Sequence, residues 1–137
     1  ILVRLGFDVG VMQVKGVPYD LWIFAHEVPN GKNKPLRVQV KTASEGGSIK
    51  FTAGSRGGVD RVYIPKVKEY KYTTEHSDLI IGVDKNTLDL YLIPTQFIAK
   101  WGTSRSISKL QPLKNNWSIL LNWNEKFLKE LESQLPK

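Results

Sequence analysis

The chain has 137 residues, 41% of them hydrophobic and none of them cysteine, which allows one hydrophobic core and excludes disulfide scaffolds, thiolate zinc sites and cysteine nucleophiles. Twenty Lys and Arg against thirteen Asp and Glu leave a formal charge of +7 and a pI near 9.6; this fits a polyanionic partner, because neutralised phosphates release condensed counterions, or else a basic surface with no partner. No apolar stretch approaches the roughly 18 residues that span a bilayer and no secretory leader is visible, so a soluble, cytoplasmic protein with no membrane partner is expected.

Residues 1 to 7 read as the end of a helix, with Gly6 as its left-handed terminator and Arg4 as a cation suited to a helix C-terminus. The rest of that helix is expected upstream of Ile1. Phe7 to Gln13 reads as a Val-rich strand. Gly16-Val17-Pro18 breaks it, and the aromatic, β-branched run Tyr19 to Phe24 reads as a buried strand. Pro29 to Pro35 is turn chemistry, and Leu36 to Ala43 alternates with period two. These two strands are expected to pair as an antiparallel hairpin. Gly46 to Gly58 is rich in Gly and Ser around a short extended piece, Ile49 to Thr52, while Arg61 to Lys71 fits no element well. Leu79 to Val83 and Leu88 to Ile93 are strands around the turn Asp84 to Thr87. Pro94 to Trp101 reads as a short helix with Pro in its first turn, ended by Gly102. Phe127, Leu131 and Leu135, with Leu128 beside them, form the apolar stripe of a C-terminal helix. No repeat, linker or second domain is visible.

One pattern carries chemistry: an acid at the start of a buried strand, Asp20, and Gln39-Val40-Lys41 on the next. A turn about Asn30-Gly31, or one residue later, sets Asp20 opposite Lys41 or Ala43. Either register puts Asp20, Gln39 and Lys41 on one face of the sheet. Such a cluster suits phosphodiester hydrolysis. Asp20 and the carbonyl of Val40 offer hard oxygen ligands for Mg²⁺, or for Mn²⁺ in its place, and Lys41 can orient the attacking water or offset charge on the phosphate. Gln39 can ligate or hydrogen-bond but brings no negative charge, so a second carboxylate is wanted from elsewhere. The bare motif is unspecific, since Gln13-Val14-Lys15 and Glu69-Tyr70-Lys71 fit it as well. Only the middle copy lies on a convincing strand behind an acid. The competing reading is an Asp20–Lys41 salt bridge in an ordinary sheet.

Gly16-Val17-Pro18-Tyr19-Asp20-Leu21, followed by Leu36 to Ser44, resembles the PD-(D/E)XK endonucleases associated with group I introns, a homing-endonuclease group, and more distantly the archaeal Holliday-junction resolvases. The likeness continues from Tyr72 to Ile93. It implies a restriction-endonuclease-like α/β fold: a mixed, mainly antiparallel central sheet flanked by helices. It implies Asp20 as the metal-binding acid, Lys41 as the catalytic lysine and Gln39 at the variable position. It also implies a Glu on the helix before the first strand, which here lies upstream of Ile1. The implied activity is Mg²⁺-dependent cleavage of double-stranded DNA by a homodimer or homotetramer, as a homing endonuclease. A structure-selective resolvase and a catalytically weak DNA-binding module of the same fold are the alternatives.

The remaining basic residues divide between DNA contact and plain surface. Lys15, Lys50, Arg56 and Arg61 are candidate DNA-binding residues, with Ser55-Arg56-Gly57-Gly58 either a phosphate-contacting loop or a solvated one. Lys66, Lys68 and Lys71, interleaved with Tyr63, Tyr70 and Tyr72, either track a DNA backbone or form a basic surface over half-buried tyrosines. Asp78 reads as a cap or salt-bridge partner. His26 and His76 read as structural or surface residues, and Trp117 and Trp123 as core.

Overall fold

A computed structural model describes residues 8–11, 21–24, 35–44, 47–53 and 70–136. Its strands in chain order are β1 (Asp8–Val11), β2 (Leu21–Phe24), β3 (Leu36–Thr42), β4 (Ser48–Lys50), β5 (Thr52–Ala53), β6 (Tyr70–Lys71), β7 (Leu79–Asp84), β8 (Asp89–Pro94) and β9 (Ser104–Ser106). Five of them form one sheet in the order β1-β2-β3-β7-β8. Every neighbour in it is antiparallel except β3 and β7, which run parallel from Val38↔Leu79 to Thr42↔Val83. Two short pairs, β4 with β9 and β5 with β6, stand apart from it. The result is a mixed, mainly antiparallel sheet flanked by α and 3-10 helices, as the resemblance implied.

The apolar pattern explains the order. Leu79, Ile80, Ile81 and Gly82 are all buried, so β7 has no polar face and belongs in the interior of the sheet. β3 alternates instead. Leu36 and Val38 are buried with Ile23 of β2, whereas Arg37, Gln39 and Lys41 between and beyond them are only half-buried. Two ties fix the start of β7. Asp78 and Arg37 hold the parallel register, and the buried hydroxyls of Ser77 and Thr95 meet at 3.1 Å.

The β2–β3 hairpin is antiparallel as expected, but its register differs. Asp20 opposite Lys41 would set Leu21 opposite Val40; Leu21 instead pairs with Val38, Trp22 with Arg37 and Ile23 with Leu36. This pairing seats Ile23 beside Leu36, both buried. The shift from Val40 to Val38 is even, so each strand keeps its faces.

The expected helix after Pro94 is a 3-10 helix, Thr95–Lys100, that buries Phe97 and Ile98. Pro94 itself closes β8, and the Thr95 amide donates to the Asp78 carbonyl at 3.0 Å. Near the C-terminus lie α1 (Ser118–Leu121) and α2 (Glu125–Ser133). The Asn124 side chain caps α2 by accepting from the Phe127 amide at 2.9 Å. Leu128 and Leu131 are buried as the stripe requires; Leu135 lies past the end of the helix and still packs on the core. Trp117 and Trp123 pack against that core half-buried. Among the described residues no helix is long and apolar enough to cross a membrane. Gly6, His26 and the end of the expected N-terminal helix lie outside the described residues.

Candidate active site on the polar face of β3

Three polar side chains follow one another along one face of β3: Arg37, Gln39 and Lys41. Across the parallel pairing Gln39 and Lys41 stand beside Ile80 and Gly82, and Arg37 meets Asp78, which precedes β7. A second layer packs over this face. A Cβ on Gly82 would stand 2.0 Å from Cδ1 of Ile49, so β4 lies directly on β7 at the level of Lys41.

Arg37 is anchored at several points. Its Nε donates to Asp78 Oδ2 at 3.2 Å and its Nη2 to Asp78 Oδ1 at 3.1 Å, a two-point ion pair. The same guanidinium reaches the carbonyls of Thr74 and Glu75 at 2.7 and 2.8 Å, and the Arg37 amide donates to Asp78 Oδ2 at 2.9 Å. Asp78 thus acts both as salt-bridge partner and as cap.

Lys41 reaches into the second layer. Its Nζ donates to the Thr52 carbonyl at 2.9 Å and lies 5.2 Å from the ring centroid of Tyr72. Gln39 lies between Arg37 and Lys41 on this face and donates through Nε2 to the Val40 carbonyl at 3.3 Å. The oxygens that Gln39 and Val40 offer are neutral. They suit a hard cation as supporting ligands and lack the carboxylate that Mg²⁺ takes. Among the described residues no three His, Cys, Asp or Glu side chains come together as a metal site.

Asp20, the acid of the expected constellation, lies outside the described residues, as do Lys15, Arg56 and Arg61. Lys50 is exposed on β4, opposite Ser104 of β9. Of the Lys and Tyr series, Lys71 donates to the Trp101 carbonyl, and Tyr70 and Tyr72 pack edge to face with centroids 5.8 Å apart. Those three residues knit the second layer together. His76 stacks on Tyr70 at 4.8 Å and accepts from the Thr73 amide through Nδ1 at 3.0 Å. Thr52 and Tyr72 are absent from the candidates that sequence reasoning picks out around Lys41. Their link to it depends on how β5 and β6 fold over the sheet, for which no local pattern exists.

No family model matches the chain, and no curated protein matches it by sequence. Among solved structures, a bacterial homing endonuclease, I-Ssp6803I, is similar to it with a TM-score of 0.63. The match covers 88% of this chain and 83% of that one, at 13% sequence identity. The likeness is one of fold.

Proposed function

We propose that the chain is a divalent-metal-dependent endonuclease that cleaves double-stranded DNA at specific sites, in the manner of a homing endonuclease. The observation that carries this reading is the placement of Lys41: a half-buried lysine held at two points on the polar face of β3, beside Gln39, in a fold shared with such an enzyme.

In this reading Asp20 supplies the carboxylate. It directly precedes Leu21, whose partner across the sheet is Val38, the neighbour of Gln39. Asp20, the Gln39 side chain and the Val40 carbonyl would hold Mg²⁺ or Mn²⁺, which supplies Lewis acidity at the scissile phosphate when bound. Lys41 offsets the charge that develops on the phosphate and orients the attacking water. The +7 charge draws the DNA in, with Lys15, Lys50, Arg56 and Arg61 on its backbone. Cutting both strands calls for two active sites, hence a homodimer or homotetramer, and such an enzyme works in the cytoplasm.

The test is incubation with Mg²⁺ and either plasmid DNA or a synthetic four-way junction, alongside Asp20→Asn. Cuts at a few plasmid sites that vanish in Asp20→Asn are expected. Cutting confined to the junction would replace the homing role with a resolvase role. DNA binding with no cutting of either substrate would leave only a DNA-binding module.

A further inference from the structure

A lysine side chain has a long, flexible stem, and a catalytic ammonium must be brought to one place. The Thr52 carbonyl and the Tyr72 ring are among the groups that do this for Lys41. The Thr52 carbonyl accepts from Nζ at 2.9 Å, and the Tyr72 ring centroid is 5.2 Å away. A carbonyl dipole and the negative face of an aromatic ring both attract a cation.

These two groups are themselves fixed. Tyr72 is only 4% exposed, and its ring is wedged edge to face against Tyr70 and His76. Its amide donates to the Phe51 carbonyl at 2.8 Å, and the Phe51 amide donates to the Thr103 carbonyl at 2.8 Å. Thr52 follows Phe51 and pairs with Lys71, which precedes Tyr72. One backbone junction therefore carries both of these groups, and the fully buried Phe51 ring anchors it. The Gly82–Ile49 contact sets the height of this layer above the sheet at the residue paired with Lys41.

We propose that Tyr72 is a positioning residue for cleavage: with the Thr52 carbonyl its ring face holds the Lys41 ammonium where the phosphate is to lie. The inference rests on the reading of Lys41 as the catalytic lysine. It attributes the effect to the ring face and gives the phenolic hydroxyl no part.

The experiment compares Tyr72→Phe, Tyr72→Leu and Lys41→Ala in single-turnover cleavage at saturating duplex DNA, with DNA affinity and Tm measured for each. Phe97→Leu, another buried aromatic in the core, serves as a packing control. Tyr72→Phe should cut within about twofold of the parent. Tyr72→Leu should cut about tenfold more slowly at unchanged affinity, a loss of ~1.4 kcal/mol that lies within the range of cation–π contacts. Phe97→Leu should lower Tm without slowing the folded enzyme. Equal slowing by Tyr72→Phe and Tyr72→Leu, equal slowing by Tyr72→Leu and Phe97→Leu, or no slowing by Tyr72→Leu would each overturn the proposal. The contact itself is read without cleavage, from the ring-current shift of the Lys41 ε-protons by NMR. That shift should survive in Tyr72→Phe and vanish in Tyr72→Leu, and its absence from the parent protein would refute the clamp. Undiminished cutting by Lys41→Ala, where the parent protein shows the shift, would instead sink the catalytic reading and with it the positioning role, while the contact would stand.

Discussion

On one face of β3, Leu36 and Val38 are sealed into the core beside Ile23, Leu79 and Ile81; on the other, Arg37, Gln39 and Lys41 form a half-buried polar row under a second layer. The apolar face is held by dispersion and by exclusion of water, and no single partner is indispensable to it. The polar face works the other way. Taking polar and charged groups out of bulk water costs free energy unless each finds partners, and here Arg37 and Lys41 reach named atoms across the fold. A sheet that needed only stability would place apolar residues on both sides of β3, as it does on both sides of β7. The polar row is maintained at a cost, and its position in the interior of the sheet is where a reactive site can be held rigid.

The largest effect should come from breaking the apolar side. Ile81→Ala removes a side chain that is 3% exposed and should cost about 2–5 kcal/mol of stability, measured by urea denaturation. Molecules that remain folded should keep their cleavage rate, because the Ile81 side chain lies on the face opposite the polar row.

Next is the layer contact over Lys41. Gly82→Ala drives a Cβ to within 2.0 Å of Ile49 Cδ1 and 3.0 Å of its Cγ1. Overpacking of this kind costs about 1–3 kcal/mol. Unlike Ile81→Ala, this change should also slow cleavage, since it lifts the layer that carries Thr52 and Tyr72. Slowing of both variants to the same extent would erase the distinction between the faces.

Two smaller tests touch neither face and mark the background. Leu88 adopts φ +63° in the β7–β8 turn and is 66% exposed. A β-carbon is disfavoured in that conformation, and no burial of the side chain offsets it. Leu88→Gly should stabilise by about 0.5–1 kcal/mol after the added freedom of the unfolded chain is set against the relieved strain. Asn115, at φ +50°, is a different case: its side chain accepts from the Leu90 amide at 2.9 Å and donates to Asp89 at 3.0 Å.

Asp89 gives the smallest effect. Hydrogen bonds from the Thr87 hydroxyl and the Asn115 amide, with Lys114 nearby, lower its pKa from the ordinary 3.8. A lowered carboxylate contributes stability above its unfolded value and loses it as pH falls through its folded one. The Tm gap between parent and Asp89→Asn should therefore be widest near neutrality and close in acid. A gap constant with pH would contradict this.

How much of this is legible in the sequence depends on distance along the chain. The alternation of Leu36 to Lys41 shows which side chains share a face, and the unbroken run Leu79 to Val83 marks a strand with two buried faces. That run is also the signal that could suggest a parallel neighbour, but it does not say which strand that is. The pairing of β3 with β7 joins residues some forty positions apart, Val38 with Leu79, and leaves no local trace. The hairpin register is legible in parity and not in position, because period two is satisfied equally by Val38 or Val40 opposite Leu21. Thr52 and Tyr72 meet Lys41 only through the fold of the second layer. The 3-10 winding of Thr95–Lys100 depends likewise on ties to Ser77 and Asp78 that lie outside its own sequence.

The most direct test of the polar row as a nuclease site is single-turnover cleavage of duplex DNA in Mg²⁺ by Lys41→Ala, with DNA affinity measured on the same preparation. Loss of one group that stabilises charge at the phosphate should slow cleavage by about 10²–10³ while binding stays near that of the parent. Parent and variant cutting at equal rates would show that Lys41 takes no part in the chemistry.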